Sequence, residues 1–450
     1  MEKVLPKGWV ETELGSFAYL KNGYAYKTTQ FKDSGIPILK ISNITKDGKV
    51  DISNPQYVDE SLINEAFLVK SGDIVIAMSG ATTGKFGVYN SNDLLLQNQR
   101  VGNIKLRNES LGSKKLLYYL IASLRKEIED RAYGGAQPNI SPTLIETIQI
   151  LLPPLAEQER IVAKLDKLFA QHEKIKKALE RIPQLLKDFR QQVLTQAVSG
   201  KLTESWRRGK NLGDWQERLM KNITTKLGSG STPRGGSTTY LSEGIPLVRS
   251  MNIVFGGIKS DGLAFINDVQ ATALKSVEIQ FEDILLNITG ASIGRLCLAD
   301  KTVTGGRVNQ HVFIIRSNRE IVYPKFLECC LRSNIVQSFI EEIKYGAGME
   351  AISKTQIENL KINVPTLQEQ QEIVCRVESL FAKADLIESH YQTLKAKVDA
   401  LPQAILHKAF KGELVPQLPT DGDANDLLAE IVRLKGEVKP KIARKKHRVE

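Results

Sequence analysis

Two glycine-rich turns carry basic side chains in a pattern that resembles a phosphate-binding loop. GATTGK occupies residues 80–85 and GASIGR occupies residues 290–295. A P-loop has four residues between its glycines and a Ser or Thr after its lysine. Here three residues separate the glycines and Phe86 follows the lysine, so the pattern argues against an NTP site. Two alternatives remain: a tight turn between strands, or a loop whose Lys85 and Arg295 reach a phosphate group or a guanine edge.

Six more side chains of the types that read base edges lie on two pairs of matched segments. GIPILKISN matches GIPLVRSMN, and LQNQRV answers RVNQHV. The candidates on these segments are Lys40, Asn43, Arg100, Arg249, Asn252 and Arg307. Arginine pairs with guanine and asparagine with adenine by geometry. For the two asparagines, the capping of a turn is at least as good an interpretation.

A glycine-rich stretch occurs at the same place in each half of the chain, as YGGAQPNIS at residues 133–141 and YGAGMEAIS at residues 345–353. Glycine lets the backbone approach a nucleic-acid strand closely. Gln137 and Asn139 have the side chains that pair with adenine, whereas Met349 and Ala351 stand at their places in the second stretch. If both stretches touch DNA, they read different sequences. The alternative is a pair of connecting loops.

No motif for catalysis accompanies these residues. The sequence has no [DNS]PP[YFW] amino-methylating motif, no GxGxxG after a strand, no HExxH and no GxSxG. Its five histidines are scattered and its four cysteines show no CxxC spacing, so neither a metal site nor a disulfide framework is expected. We therefore expect a chain that is not itself an enzyme and that holds no catalytic residue, metal or cofactor of its own.

The charge of the chain favours a polyanionic partner. Its 450 residues carry a formal net charge of +11, which points first to nucleic acid and second to a membrane surface. The N-terminal segment MEKVLPKGWV lacks the apolar core of a signal peptide, and no apolar run approaches the length of a membrane span. We expect a cytoplasmic protein without a membrane partner.

Heptad patterns in two long segments predict the elements that must position the candidate residues. Apolar residues recur at alternating steps of three and four over residues 161–193 and again over 373–405. This spacing is typical of the seam of a coiled coil. The helices should cover residues 155–198 and 367–410 and pack on each other. We expect an antiparallel pair, because that arrangement puts one globular part at each end.

Three residues inside these helices do not fit a simple apolar seam. Pro183 and Pro402 interrupt the helical pattern, and we expect each to bend its helix without ending it, because the apolar register continues on both sides. His172 falls on a seam position and is interpreted as a polar residue that sets the register.

The matched segments follow one another in the same order in both halves, at an offset of 206 to 212 residues. This order indicates a tandem duplication of a unit too long for a solenoid repeat. The expected fold class is α+β, with two mixed α/β globular domains separated by two long antiparallel helices in a pseudo-two-fold arrangement. The expected divisions are a first globular domain (1–154), a first spacer helix (155–205), a second globular domain (206–366), a second spacer helix (367–415) and a basic C-terminal tail (416–450).

With these segments in view, the chain resembles the specificity (S) subunit of type I restriction-modification enzymes. The resemblance is strongest in LLPPLAEQERIVAKLDKLFAQ and NVPTLQEQQEIVCRVESLFAKAD, at the starts of the two helices. The stretches IPQLLKDFRQQVLTQAVSGKLTESWR and LPQAILHKAFKGELVPQ look like the K-type, or type IA, branch. The likeness covers nearly the whole chain and is weakest inside the globular domains.

This resemblance implies a non-catalytic subunit whose two target recognition domains each read one half of a bipartite, asymmetric site in double-stranded DNA. It implies that the helices set the spacing and dock two methylation (M) subunits, which bind S-adenosylmethionine and methylate adenine N6. It further implies two restriction (R) subunits that use ATP, with Mg²⁺, for translocation and cleavage. None of those activities would reside in this chain.

Two other readings stay open from the sequence alone. One is a non-enzymatic coiled-coil scaffold whose globular domains bind proteins, and the other is a self-sufficient methyltransferase. Salt-dependent DNA binding would separate the first from a specificity subunit, and binding of S-adenosylmethionine by the isolated chain would support the second.

Overall fold

The computed structural model describes residues 5–45, 47–133, 138–346 and 351–437. The chain forms two compact units. Unit 1 comprises Met1–Ala178 and Leu394–Glu450, and unit 2 comprises Leu179–Thr393. Each unit therefore contains one globular domain together with segments of both long helices.

The globular domain of unit 1 is built on a four-stranded antiparallel sheet. The order of its strands is Ala18–Asn22, Val101–Leu106, Ile74–Ala77 and Phe86–Val88. The alternating apolar side chains of these strands face the helix Lys114–Ser123 and form one core with it. The N-cap of that helix is Ser113, since the Ser113 hydroxyl accepts from the Leu116 N–H at 3.3 Å.

A second sheet and a closing strand pair complete unit 1. The second sheet has the strand order Phe31–Lys32, Gln56–Val58, Ile36–Leu39 and Leu96–Gln97. Val10–Glu13 pairs antiparallel with Gln149–Leu152, which brings the start of the domain to its end. The other helices of unit 1 are Leu14–Phe17, Arg125–Ala132, Pro142–Glu146, Leu155–Glu180 (which continues two residues into unit 2) and Ala424–Glu437.

Unit 2 repeats this plan. Its four-stranded sheet has the order Thr224–Ser229, Val312–Ser317, Ile284–Asn287 and Leu296–Leu298, and its closing pair is Gln216–Leu219 with Lys361–Val364. Its remaining strands are Ile245–Val248, Ile253–Val254, Gly257–Ile258, Ala264–Ile266 and Arg307–Val308. Its helices are Ile182–Val198, Glu204–Arg207, Met220–Ile223, Asp268–Ala273, Pro324–Arg332, Asn334–Gly346, Lys354–Glu358 and most of Leu367–Ala409.

The long helices pack antiparallel within each unit. In unit 1, Ile161 and Leu165 from the start of the first helix share a core with Ile405 and Ala409 from the end of the second. In unit 2, Val193, Leu194 and Ala197 from the end of the first helix share a core with Ile373 and Val377 from the start of the second. The predicted fold class, with mixed globular domains and an antiparallel pair of long helices, is confirmed.

Ile161 and Ile373, at the start of the predicted seam, are fully buried, and beyond them only alternate seam positions are buried. Every second seam position lies between the helices, and these positions are Leu165, His172, Leu179, Leu186 and Val193 on the first helix and Val377, Ala384, Tyr391, Val398 and Ile405 on the second. The intervening positions keep much of their surface, with 44% of Ile175 and 46% of Leu394 exposed in unit 1, and 37% of Phe189 and 51% of Ile387 in unit 2. The helices therefore pack on each other as predicted, but between these residues the pair buries only one seam position per heptad, whereas a regular two-stranded coiled coil buries both.

The two prolines behave differently. The first helix is divided at Arg181, just before Pro183, although Arg181 keeps helical angles of φ −82° and ψ −22°. The second helix runs through Pro402 without a break, and proline has no N–H to donate to the Val398 carbonyl four residues earlier. His172 Nε2 donates to that carbonyl at 2.9 Å. His172 therefore satisfies the group that Pro402 leaves free, which is more than the register-setting role that the sequence suggested.

A buried glutamate ties the start of each long helix to the base of its domain. In unit 1, Glu157 is fully buried and accepts from the Trp9 indole N–H at 2.8 Å. Burial raises the pKa of Glu157. In unit 2, Glu369 is also fully buried and accepts from the Thr203 hydroxyl at 2.7 Å and from Arg207 Nη2 at 2.5 Å. A buried glutamate therefore lies at the equivalent place in both units, with different hydrogen-bond partners.

We expect His172→Phe to destabilise the chain by about 1–3 kcal/mol, because it leaves the buried Val398 carbonyl without a donor. In a Pro402→Ala background the new N–H can take that carbonyl, so the cost of the same substitution should fall by at least about 1 kcal/mol. Urea unfolding of the four proteins of this cycle measures the coupling. Equal costs in both backgrounds would contradict the assigned role of His172.

Candidate nucleic-acid interface

Three segments of unit 1 meet at one end of its four-stranded sheet. The Met78 N–H donates to the Arg100 carbonyl at 2.9 Å, and the Ile140 N–H donates to the Met78 carbonyl at 2.8 Å. Ser79 and Asn139 form an isolated antiparallel bridge. Backbone hydrogen bonds therefore hold two of the predicted site residues, Arg100 and Asn139, on opposite sides of the segment that leads into the GATTGK turn.

These residues line an open cleft of about 740 Å³. Its walls are formed by Ser79, Gly80, Ala81, Arg100, Tyr133, Pro138 and Asn139. Arg100, Tyr133 and Asn139 are exposed, and among the described residues the Arg100 guanidinium has no hydrogen-bond or ion-pair partner. A free guanidinium fork, an amide and an aromatic ring in one cleft supply the donors and the stacking surface that nucleic-acid recognition uses.

Unit 2 has the same backbone arrangement with different side chains. The Ile288 N–H donates to the His311 carbonyl at 3.1 Å, the Ile352 N–H donates to the Ile288 carbonyl at 2.9 Å, and Thr289 bridges to Ala351. His311 therefore occupies the place that Arg100 has in unit 1. The Gln310 amide Nε2 donates to His311 Nε2 at 3.0 Å, so His311 Nδ1 donates to the Thr289 hydroxyl at 2.6 Å.

Arg307 is not the counterpart of Arg100 and does not face solvent. Position by position, RVNQHV places Arg307 opposite Leu96 and His311 opposite Arg100. Arg307 is 6% exposed, and its guanidinium donates to the Ala271 carbonyl at 2.9 Å and pairs with Glu278 at 3.3 Å. Because these groups already satisfy the guanidinium, its burial argues against a DNA contact. Aligning the two segments residue by residue would have pointed to His311.

Asn43 and Asn252 close turns. The Asn43 side chain accepts from the Lys40 N–H at 2.9 Å and donates to the Asp51 carbonyl at 2.9 Å. Asn252 accepts from the Arg249 N–H at 3.1 Å and donates to the Lys259 carbonyl at 3.0 Å. Both are buried. The geometry is that of the turn-capping alternative, and a base contact would require these hydrogen bonds to break.

The basic residues that precede those turns pack against aromatic rings. Lys40 Nζ lies 4.9 Å from the centre of the Phe31 ring and contacts the Gln56 side chain. Burial lowers the pKa of Lys40. Arg249 lies 5.3 Å from the centre of the Tyr240 ring, and its Nη2 donates to the Gly262 carbonyl at 2.5 Å. These contacts orient the two cations without neutralising them.

The GATTGK and GASIGR segments are tight turns. Each glycine of the first segment has a positive φ, at +81° for Gly80 and +85° for Gly84, which favours glycine without any ligand. Lys85 lines a second cleft, of about 360 Å³, beside Phe86, Tyr118 and Phe169. Arg295 is exposed. The tight-turn interpretation therefore describes the backbone, and a phosphate contact by either cation stays a prediction.

Three further expectations concern ligands and membranes. Gln137 lies outside the described residues, so its predicted base contact stays a prediction. No group of three or more His, Cys, Asp or Glu side chains able to hold a metal ion occurs in residues 5–45, 47–133, 138–346 and 351–437. Within the same described ranges, no helix is both long and apolar enough to cross a membrane.

The family model described as the type I restriction modification DNA specificity domain matches this chain twice, over residues 6–184 and 213–396. The chain belongs to the type I restriction-modification DNA specificity family. The first matched range contains the cleft around Arg100 and the second contains the equivalent backbone arrangement around His311, and the resemblance inferred from the helices is confirmed. So is the predicted function at the level of the family, the recognition of DNA target sites.

Relatives along nearly the whole chain support this membership. The EcoKI specificity subunit of Escherichia coli strain K12 is 32% identical over 425 residues, covering 92% of this chain and 90% of the relative. The EcoBI specificity subunit of Escherichia coli is 30% identical over 426 residues, covering 91% and 87%. Both are named as specificity subunits of type I restriction enzymes.

A solved structure shows the same fold. It is described as the structural basis of complex assembly and conformational transition of the type I R-M system, and its matching chain superposes with a TM-score of 0.64 at 20% identity. The match covers 91% of this chain and 99% of that chain. The mixed domains and long helices of this specificity-family chain are thus shared at low sequence identity.

We expect Asn43→Ala to lower the free energy of unfolding by about 1–3 kcal/mol and to leave the recognised DNA sequence unchanged, because its amide closes a turn. The adjacent exposed Ser42→Ala is the control and should change stability by less than about 0.5 kcal/mol. Urea unfolding and methylome sequencing measure the two quantities. A changed half-site with unaltered stability would instead make Asn43 a base reader.

Proposed function

We propose that each globular domain reads one half of a bipartite, asymmetric DNA site and that the long helices set the distance between the halves. The observation that carries this proposal is the shared backbone frame with unlike side chains. The same hydrogen-bond pattern presents Arg100 in the first domain and His311 in the second. Because the two domains present different hydrogen-bond donors at the same backbone position, they suit two different half-sites. The domain divisions 1–154, 155–205, 206–366, 367–415 and 416–450 belong to this proposal.

The proposed DNA contacts divide into base readers and phosphate contacts. Arg100 and Asn139 lie in the cleft of the first domain and are the proposed base readers there, with Gln137 as a further candidate from the sequence. Lys85 and Arg295, on the turns, together with the oriented cations Lys40 and Arg249, are the proposed phosphate contacts. The net charge of +11 supports a salt-dependent, sequence-independent share of the affinity.

The spacing role rests on the two long helices, of which the second runs unbroken through Pro402 and the first is divided at Arg181, a residue that keeps helical angles. One extra heptad lengthens a helix by about 10 Å, which corresponds to about three base pairs along DNA. The burial of one position per heptad lets a whole heptad be added without moving apolar groups to a new face.

Insertion of one heptad after Lys177 and another after Thr393 should therefore lengthen the gap between the half-sites by about three base pairs and leave both half-sites unchanged. Methylome sequencing of cells that carry the variant and its methylation partner measures the gap. The control replaces residues 175–181 with a different heptad of equal length. An unchanged gap after insertion would refute the spacing role.

We propose that the exposed seam positions dock helices of the methylation subunits. Leu168, Ile175, Leu394 and Leu401 in unit 1 repeat every seven residues and retain exposed surface. A stripe with this period fits a further helix of complementary heptads, as in a multi-helix bundle.

Two M subunits, one for each unit, and two R subunits are the proposed partners. Methylation with S-adenosylmethionine, and cleavage with ATP and Mg²⁺, are proposed to be carried by those partners, with this chain as the non-catalytic subunit in the cytoplasm.

We expect Leu394→Asp to weaken binding of the methylation subunit by tenfold or more, since a carboxylate at the centre of an apolar contact costs on the order of 2 kcal/mol or more. Gln392→Asp adds the same charge on the opposite side of the helix and should have little effect. Copurification and titration of the two subunits measure this difference. Equal losses for both variants, or none, would count against the stripe as the docking surface.

A further inference from the structure

The strand end that carries Arg100 in the first domain differs from its counterpart in the second domain at one residue. Asn98-Gln99-Arg100 in the first domain corresponds to Asn309-Gln310-His311 in the second, so only the last residue differs. The flanking backbone is also the same, because Val101 donates to the Asn98 carbonyl at 2.9 Å and Val312 donates to the Asn309 carbonyl at 3.2 Å. A difference in what this strand end recognises must then come from Arg100 and His311.

The two side chains offer different chemistry to a base. The Arg100 guanidinium is exposed and has no partner among the described residues, so its fork is available for the O6 and N7 acceptors of guanine. His311 is held at both ring nitrogens, by Thr289 and by Gln310. Gln310 also accepts from the Thr232 hydroxyl. This hydrogen-bonded chain gives the second domain no fork of parallel N–H groups at the position of Arg100.

Resting on the proposed function, we propose that Arg100 and His311 occupy one equivalent specificity-determining position, at which Arg100 selects a guanine in the first half-site. The neighbouring Asn139 and Tyr133 complete the cleft around Arg100, whereas the second domain has Ala351 in place of Asn139. The second half-site is read at this position without an arginine fork. Guanine is therefore not selected there in the same way.

The test is a reciprocal exchange in the complex of the full chain with its methylation subunit. Arg100→His should remove the guanine preference at one position of the first half-site, with about a tenfold or larger loss of discrimination. His311→Arg should introduce a guanine preference at one position of the second half-site. In each variant the other half-site and the gap should stay unchanged. Methylome sequencing and competition binding to duplexes substituted at single positions measure these changes.

Two further variants keep the result decisive. Arg100→Lys retains the charge but not the fork, so it should relax the same position while total DNA affinity changes less. Lys126→His removes an exposed cation on the helix Arg125–Ala132, which contributes no residue to the reading cleft, and should alter no position. If Arg100→His weakens binding equally to every half-site variant, Arg100 contacts a phosphate and the inference is overturned.

An unaltered motif in both exchanged variants would also overturn it. Failure of the proposed function has a different signature. In that case the wild-type complex itself would show no bipartite motif, or exchange of residues 1–154 would change both half-sites. A wild-type bipartite motif together with unchanged specificity in Arg100→His and Arg100→Lys would therefore reject the inference alone.

Discussion

The partial burial of the heptad seam is the constraint on which the rest of this structure depends. Beyond Ile161 and Ile373, each helix buries one of the two seam positions of a heptad and leaves the other partly or largely exposed. The buried positions hold the helices antiparallel within each unit, and the exposed positions leave an apolar stripe of heptad period on the surface. Continuity matters equally, since the second helix passes through Pro402 and His172 satisfies the carbonyl that the proline leaves free.

The two globular domains share one backbone arrangement and differ in the side chains that this arrangement presents. In both units a four-stranded antiparallel sheet and a closing strand pair are built from strands in the same chain order. The buried glutamate at the start of each long helix is also common to both, although its partners are Trp9 in one unit and Thr203 and Arg207 in the other. Because backbone hydrogen bonds hold the segments around Arg100 and around His311, the side chains there can differ between the domains without changing the backbone arrangement.

Several features followed from sequence pattern because they repeat or obey a period. The heptads predicted both long helices, and the duplication predicted two similar domains. The sequence pattern was a poorer guide to the roles of individual site residues. Arg307 and the two asparagines have the chemistry of base readers, but burial and turn closure occupy their polar groups. The residue type determines which hydrogen bonds a side chain can form. The fold determines whether those bonds are made to solvent or to the protein's own backbone.

The amino-acid sequence by itself determined the family, the duplicated plan and the length of the helices, since these depend on local periodicity and on order along the chain. Only the tertiary structure decided which seam positions are buried, which carbonyl accepts from His172 and that equivalent backbone hydrogen bonds hold Arg100 and His311. Each of these depends on contacts between segments far apart in the chain, such as Met78 with Arg100 and Ile288 with His311. Sequence pattern records the period of an element, but the direction in which its side chains finally point is set by what packs against it.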